Sequence, residues 1–360
     1  MVRCTRRRTL EMTASALAVG SLAGCLGGAP STESADEDRE RATARASFFV
    51  FGDFASHIAG DVATAETLVP VGQHGHGWEP GPQIQGDVLD ADLFVHGVDG
   101  FQPWADDAAA NVRADGADTV LVEVGSNVDL LDAGGHEGDH HEETEHENHH
   151  EETEDGDGHE ATTHHEDHAE KDDHGHDHAS GTDPHFWLDP VRAKRAVETV
   201  REGFASADEA NADAYAENAD AYVSRLDDLH ESFESALDGA SRDVVLVAGH
   251  DAFGYLATRY GFEVRTLTGV SPDDTPTPKD VETAQHVVAE HDLDHVLADP
   301  LASQRAANQL VAETDAESVL PLTSIPGRTE EWNEKGWGYV DVMREINLPT
   351  LRRALGAEEQ

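Results

Sequence analysis

The chain has 360 residues, with 74 Asp and Glu against 24 Lys and Arg, for a formal net charge of −50. So acidic a chain, with no basic patch, argues against nucleic-acid binding. Its charge fits molar salt instead, where the Debye length falls to about 3 Å and self-repulsion is screened. The expected source is an extreme halophile of haloarchaeal type.

Residues 1–25 read as a leader. Thr5-Arg-Arg-Arg-Thr-Leu10 is a charged segment with twin arginines, and 14–22 is a weakly apolar run too short to span a bilayer. Leu22-Ala-Gly-Cys25 has the form of a lipobox, which predicts cleavage before Cys25 and a lipid on its thiol. The only other cysteine, Cys4, leaves with the leader, so disulfides and thiolate metal ligands are excluded. Residues 26–45 read as a flexible polar tether. These features place the chain on the extracellular face of the cell membrane, lipid-anchored after export. One acyl chain binds marginally, so a second chain or signal is required.

About 265 residues remain once tether and low-complexity block are set aside, more than one core usually holds, which predicts two lobes. The N-terminal lobe spans 46–190. Ser47–Phe51 is a short apolar run that predicts a buried strand, with a short helix over 54–58. Strands are predicted at 67–71, 93–95 and 119–124, and a helix at 84–89. Strands alternating with helices predict a mostly parallel α/β sheet.

Residues 132–182 lack apolar periodicity and are predicted to form a disordered loop rich in His and acid. Within them, 136–178 hold 13 of the chain's 23 histidines. His136-Glu-Gly-Asp-His140 and His146-Glu-Asn-His-His150 match a zinc-protease pattern. That pattern needs a helix, and an acidic low-complexity tract produces such matches by chance. Loose collection of metal is the reading preferred here.

A helical segment spans 191–239. Asp189-Pro190 reads as an N-cap and first helical residue, opening a helix to about 204. A second helix begins near 208, with Tyr215, Tyr222, Leu226, Leu229, Phe233 and Leu237 on one face. At about 30 residues, or roughly 45 Å, it can join the lobes. The C-terminal lobe, 240–360, repeats the alternation. Strands are predicted at 244–248, 263–267, 295–298 and 318–320, and helices at 253–260, 278–291, 304–314 and 337–355. The expected fold class is therefore α/β, with two small mostly parallel sheets flanked by helices and joined by one long helix.

Three histidines sit in rigid settings. His76 lies in Gly75-His76-Gly-Trp-Glu-Pro80, after a predicted strand. His185 lies in Asp183-Pro-His-Phe-Trp-Leu-Asp-Pro190, just before a helix cap. His250 lies in His250-Asp-Ala-Phe-Gly254, directly after a strand. Ligand sites in open α/β sheets lie beyond the carboxyl ends of strands, so two lobes can close such histidines on one ion. His230, His286, His291 and His295 read as ordinary surface or packing residues.

With these motifs placed, the chain resembles the zinc- and manganese-binding lipoproteins of ABC importers, in the cluster with a rigid inter-lobe helix. The likeness spans nearly all of 46–355 and includes Gly269-Val-Ser-Pro272 and Leu297-Ala-Asp-Pro300. The resemblance implies metal ligands at His76, His185 and His250, and a permease as partner. The protein would be a monomer and not an enzyme, with Zn²⁺ as transported ligand. The manganese branch usually has a carboxylate in the third position, and imidazole suits zinc better. The acidic His-rich loop is typical of the zinc branch. One departure matters: Leu322-Thr-Ser-Ile-Pro-Gly327 lacks the family's frequent fourth-ligand Asp. Water, His74 or a loop histidine is left for that position, and Glu79 is a candidate orienter of His76. The rival readings are a manganese or iron binder, a zinc hydrolase, and a surface zinc buffer.

Overall fold

The computed structural model describes residues 41–75, 77–133, 181–271 and 274–357. The leader, residues 26–40 of the tether, His76 and the block at 136–178 lie outside the described residues.

The first sheet is built on β1 (Ala42–Ala46), which pairs with β2 (Ala63–Thr67) on one side and β3 (Leu93–His96) on the other. β4 (Val120–Glu123) completes the parallel order β2-β1-β3-β4. Such sheets need helices on their faces. Here α1 (Phe49–Ala59), α2 (Ile84–Leu89) and α3 (Pro103–Asp115) supply part of that cover. Ser47–Phe51 is not a strand: Phe49 opens α1, whose Phe49, Phe51, Phe54 and Ile58 face the core. The strand is Ala-Thr-Ala-Arg-Ala just before it, so ordered structure begins inside the span expected as tether. β2 ends at Thr67, before Pro70, rather than running through 67–71.

Two helices then lead toward the second lobe. α4 (Pro190–Ala207) starts where expected: Pro190 is at its first turn and the Asp189 side chain accepts from the Val191 amide at 2.9 Å. α5 (Ala212–Leu237) has 26 residues, about 39 Å at 1.5 Å per residue. All six apolar residues expected on one face are buried, joined by Ala219.

The second sheet repeats the first. β5 (Val244–Val247), β6 (Glu263–Thr266), β7 (His295–Ala298) and β8 (Ser318–Pro321) run parallel in the order β6-β5-β7-β8. The helices of this lobe are α6 (Gly254–Tyr260), α7 (Pro278–Glu290) and α8 (Arg305–Glu313). The tail is not one helix over 337–355. It comprises α9 (Glu330–Glu334), α10 (Tyr339–Val342), a π-turn at Met343–Asn347 and α11 (Leu348–Ala354). Pro349 has no amide hydrogen, and the wider turn precedes it. α10 and α11 pack back on α5.

One hydrophobic core runs through both lobes. Its middle is aromatic. Phe48 meets Phe101 edge-on at 5.0 Å, Phe51 meets Trp187 at 5.6 Å, and Phe54 meets Tyr339 at 5.4 Å. Each such pair contributes about 0.5–1.5 kcal/mol beyond area burial. Among the described residues no helix is long and apolar enough to cross a membrane.

Candidate metal centre

Both sheets direct loops from their carboxyl ends into the space between the lobes. β2 leads into the loop bearing His74. β5 ends at Val247, and His250 follows three residues later. His185 stands at the start of the short 3₁₀ turn Phe186–Leu188 that feeds α4.

His185 is fully buried and rigidly held. Its backbone N–H donates to Asp183 Oδ1 at 2.9 Å, and its Nδ1 lies 2.8 Å from the same oxygen. A carboxylate can only accept, so Nδ1 carries a proton, and in the neutral ring Nε2 keeps the lone pair. Trp187 braces the ring at 5.3 Å between centroids. The Trp187 indole is itself fixed by Nε1–H donating to the Ser324 carbonyl at 2.9 Å.

His250 brings its Nε2 to 3.4 Å from that of His185. Two nitrogens each about 2.0–2.1 Å from one tetrahedral zinc lie about 3.3–3.4 Å apart. Burial, then the neighbouring His185 and His74, hold the His250 imidazole well below its ordinary pKa. The ring is therefore neutral at pH 7, the form that binds metal.

His74 stands edge-on to His250, with ring centroids 6.3 Å apart. It also faces Asp299, whose carboxyl is pushed up by burial despite His74 and three hydrogen bonds that pull it down. Those bonds come from the Leu301 amide at 2.7 Å, the Thr323 hydroxyl at 2.7 Å and the Ser324 amide at 3.3 Å.

The His74 loop is tied to the second lobe through backbone. Gly72 N–H donates to the Arg328 carbonyl at 2.8 Å and Gly75 N–H to the Pro326 carbonyl at 2.9 Å. A Cβ on Gly75 would meet Pro326 O at 2.5 Å, and one on Gly327 would meet Gln73 O at 2.3 Å. From the first lobe, Gln102 Nε2 donates to the Gly75 carbonyl at 3.1 Å. The partner segment is buried at Ile325, whose φ of 59° is uncommon for a β-branched residue.

The sequence thus named two histidines that the fold brings together, His185 and His250. His76 lies outside the described residues, between the pinned Gly75 and Gly77. Among the described residues no three His, Cys, Asp or Glu side chains form a metal cluster. Glu79 is exposed. His230 pairs with the Tyr260 hydroxyl and His295 with Ser318, each at 3.1 Å. Asp299, just past the end of β7, brings a carboxylate to the 322–327 segment, where it accepts from Thr323 and Ser324. Asp183 and Asp299 both stand within the sequence motifs, but no local pattern assigns Asp299 a role. The Asp-x-His spacing was the available signal for Asp183.

A family profile described as the periplasmic component A of zinc-uptake complexes, ZnuA, matches residues 45–354. The chain belongs to this family. The high-affinity zinc uptake system protein ZnuA of Bacillus subtilis (strain 168) is 28% identical over 334 residues, covering 93% of this chain and 94% of its own. The zinc-binding protein AdcA of Streptococcus pyogenes serotype M3 is 30% identical over 305 residues; the match covers 85% of this ZnuA-family chain but 54% of AdcA. Among solved structures, the Zn(II)-bound ZnuA-like domain of Streptococcus pneumoniae AdcA superposes with a TM-score of 0.66 at 24% identity, covering 88% of this chain and 99% of that one. The metal-dependent lipoprotein YcdH of Bacillus subtilis gives 0.65 at 25% identity, with coverage of 88% and 100%. The two-lobed α/β fold expected from sequence is the fold of these neighbours.

Proposed function

We propose that this ZnuA-family protein captures Zn²⁺ outside the cell and delivers it to the permease of an ABC importer. The observation that carries the reading is the 3.4 Å approach of His185 Nε2 and His250 Nε2, with Asp183 holding the first ring in the metal-binding tautomer. The third ligand in this reading is His76, whose neighbour Gly75 is pinned to the second lobe. An all-imidazole set favours zinc over manganese or iron. A family of transport components supports a binding protein, not an enzyme, working as a monomer. The lipoprotein AdcA of Streptococcus pneumoniae is a relative at 27% identity. That likeness and the Leu22-Ala-Gly-Cys25 sequence support export and a lipid anchor at Cys25 on the outer face of the membrane. The charge of −50 supports a halophilic setting.

The test is metal analysis of the purified mature protein after dialysis in molar salt. One zinc per chain is expected, lost in His185→Ala and in His250→Ala while circular dichroism stays native. Wild-type zinc content in both variants overturns the ligand assignment. Retention of manganese over zinc overturns the choice of metal.

A further inference from the structure

Helix α6 supplies no metal ligand in the reading above, yet it grips the His185 segment at both ends. Tyr255 and Arg259 are four residues apart, so they share one face of the helix. Arg259 donates from Nε and a terminal nitrogen to both oxygens of the fully buried Asp189, at 3.0 and 2.7 Å. Tyr255, also fully buried, donates its hydroxyl to the Asp183 carbonyl at 2.6 Å. The Tyr255 hydroxyl oxygen in turn accepts from the Leu131 amide at 2.8 Å. Asp183 N–H closes the knot by donating to the Leu131 carbonyl at 2.7 Å.

This knot joins the two described segments that flank residues 134–180 in the sequence. Asp132 bridges Thr182 in antiparallel fashion, and the Ala133 amide donates to the Gly181 carbonyl at 2.9 Å. Tyr255 therefore touches both flanking segments, at Leu131 and at Asp183, the residue whose carboxylate orients His185. It also sits five residues after His250 on the same connection, so one short segment spaces the two imidazoles.

We propose that Tyr255 is a positioning residue of the zinc site: its hydroxyl fixes the Asp183 main chain to the Leu131 segment, so that the Asp183 carboxylate presents His185 Nε2 to His250. This rests on the assignment of His185 and His250 as zinc ligands. The hydroxyl is well suited to the task. Burial pushes it above its ordinary pKa, so it remains a donor. Its hydrogen and one of its two lone pairs are engaged, which fixes direction as well as distance. A phenylalanine keeps the ring, which lies 5.0 Å under the Arg192 guanidinium, and removes only this link.

The experiment uses the mature full-length protein in molar salt, with zinc affinity from competitive titration and site geometry from the absorption bands of bound Co²⁺. Tyr255→Phe is expected to weaken zinc about tenfold, the low end of the cost of losing an outer partner of a metal ligand, and to shift the Co²⁺ bands. The control is Tyr222→Phe, which loses an equally buried hydroxyl bonded to Asp53 at 2.7 Å. It should keep both readouts within about twofold of wild type while still lowering the melting temperature. Wild-type zinc binding and Co²⁺ bands in Tyr255→Phe overturn the proposal. So does equal weakening in Tyr222→Phe, which would mark a general loss of stability. If Tyr255→Phe does not fold, 3-fluorotyrosine is placed at 255 and, separately, at 222. A changed rate of zinc release at 255 alone supports the proposal, and equal rates overturn it. His250→Ala is measured alongside. If it retains wild-type zinc, the ligand assignment fails; if it loses zinc while Tyr255→Phe does not, only the positioning role fails.

Discussion

Replacing Asp183 by alanine tests whether His185 is a presented ligand or a satisfied core histidine. Asp183 Oδ1 accepts two bonds from His185, from the backbone N–H at 2.9 Å and from Nδ1 at 2.8 Å. Without it the ring loses the group that keeps its proton on Nδ1, and the other tautomer blocks Nε2. The ring cannot swing out to water, because His185 is fully buried and Trp187 still lies 5.3 Å away. Zinc binding should therefore be weakened rather than abolished. Losing an outer partner of a metal-bound histidine costs about 10–100-fold. Both bonds belong to this residue, so the upper half of that range applies, about 30–100-fold, or roughly 2–2.7 kcal/mol. The assay is competitive zinc titration against a chromophoric chelator in molar salt. Asp183→Asn, which keeps an acceptor but not the charge, should fall between wild type and Asp183→Ala. Affinity within threefold of wild type in Asp183→Ala would refute the reasoning, since the tautomer argument allows no such tolerance.

Acid should act on the protein twice. The folded pKa of His250 lies below the unfolded value of about 6.5, so below that pH the unfolded chain binds more protons. Apoprotein stability is then complete above about pH 6.5 and declines as pH falls, a slope that thermal melts should find reduced in His250→Gln. Zinc should leave steeply below roughly pH 6, because protonated imidazole is no ligand; retention near pH 4 would argue for carboxylates. Deleting 136–178 should leave one tight zinc and remove only weaker equivalents by isothermal titration, because the flanking segments at Ala133 and Gly181 are paired without it. Loss of the tight site from the folded deletion would mean the block supplies a ligand. Cys25→Ser should release the protein to the medium, and an unmodified Cys25 in the membrane fraction by intact mass would count against the anchor.

Where the chain announces itself with pattern, the fold was legible. The helix-period face from Tyr215 to Leu237 is buried as spaced, and Asp189-Pro190 caps α4 as written. Where small residues do the work, it was not. β1 is alanine-rich, and alanine is poor at signalling a strand, so the neighbouring phenylalanine run drew the assignment instead. α3 buries Ala105, Ala108, Ala109 and Val112, a face with little apolar contrast; Pro103 at its start was the readable cue. The site divides the same way. His185 and His250 stand in motifs, whereas Tyr255 and Asp299 matter through contacts more than 70 and about 25 residues away along the chain. No local spacing encodes such partners.

The glycine seam between the His74 loop and Pro326–Arg328 bears on how a protein of charge −50 would keep its shape at any salt concentration. The two hydrogen bonds described across it, from Gly72 and Gly75, are main chain to main chain, and its closeness comes from two missing side chains. The groups that make these bonds are uncharged amides and carbonyls. The ionic strength that screens the acidic surface, and weakens its exposed ion pairs, has no purchase on that junction. The His74 loop is thus held to Pro326–Arg328 by parts indifferent to salt, while the surface that depends on salt is free to vary around it.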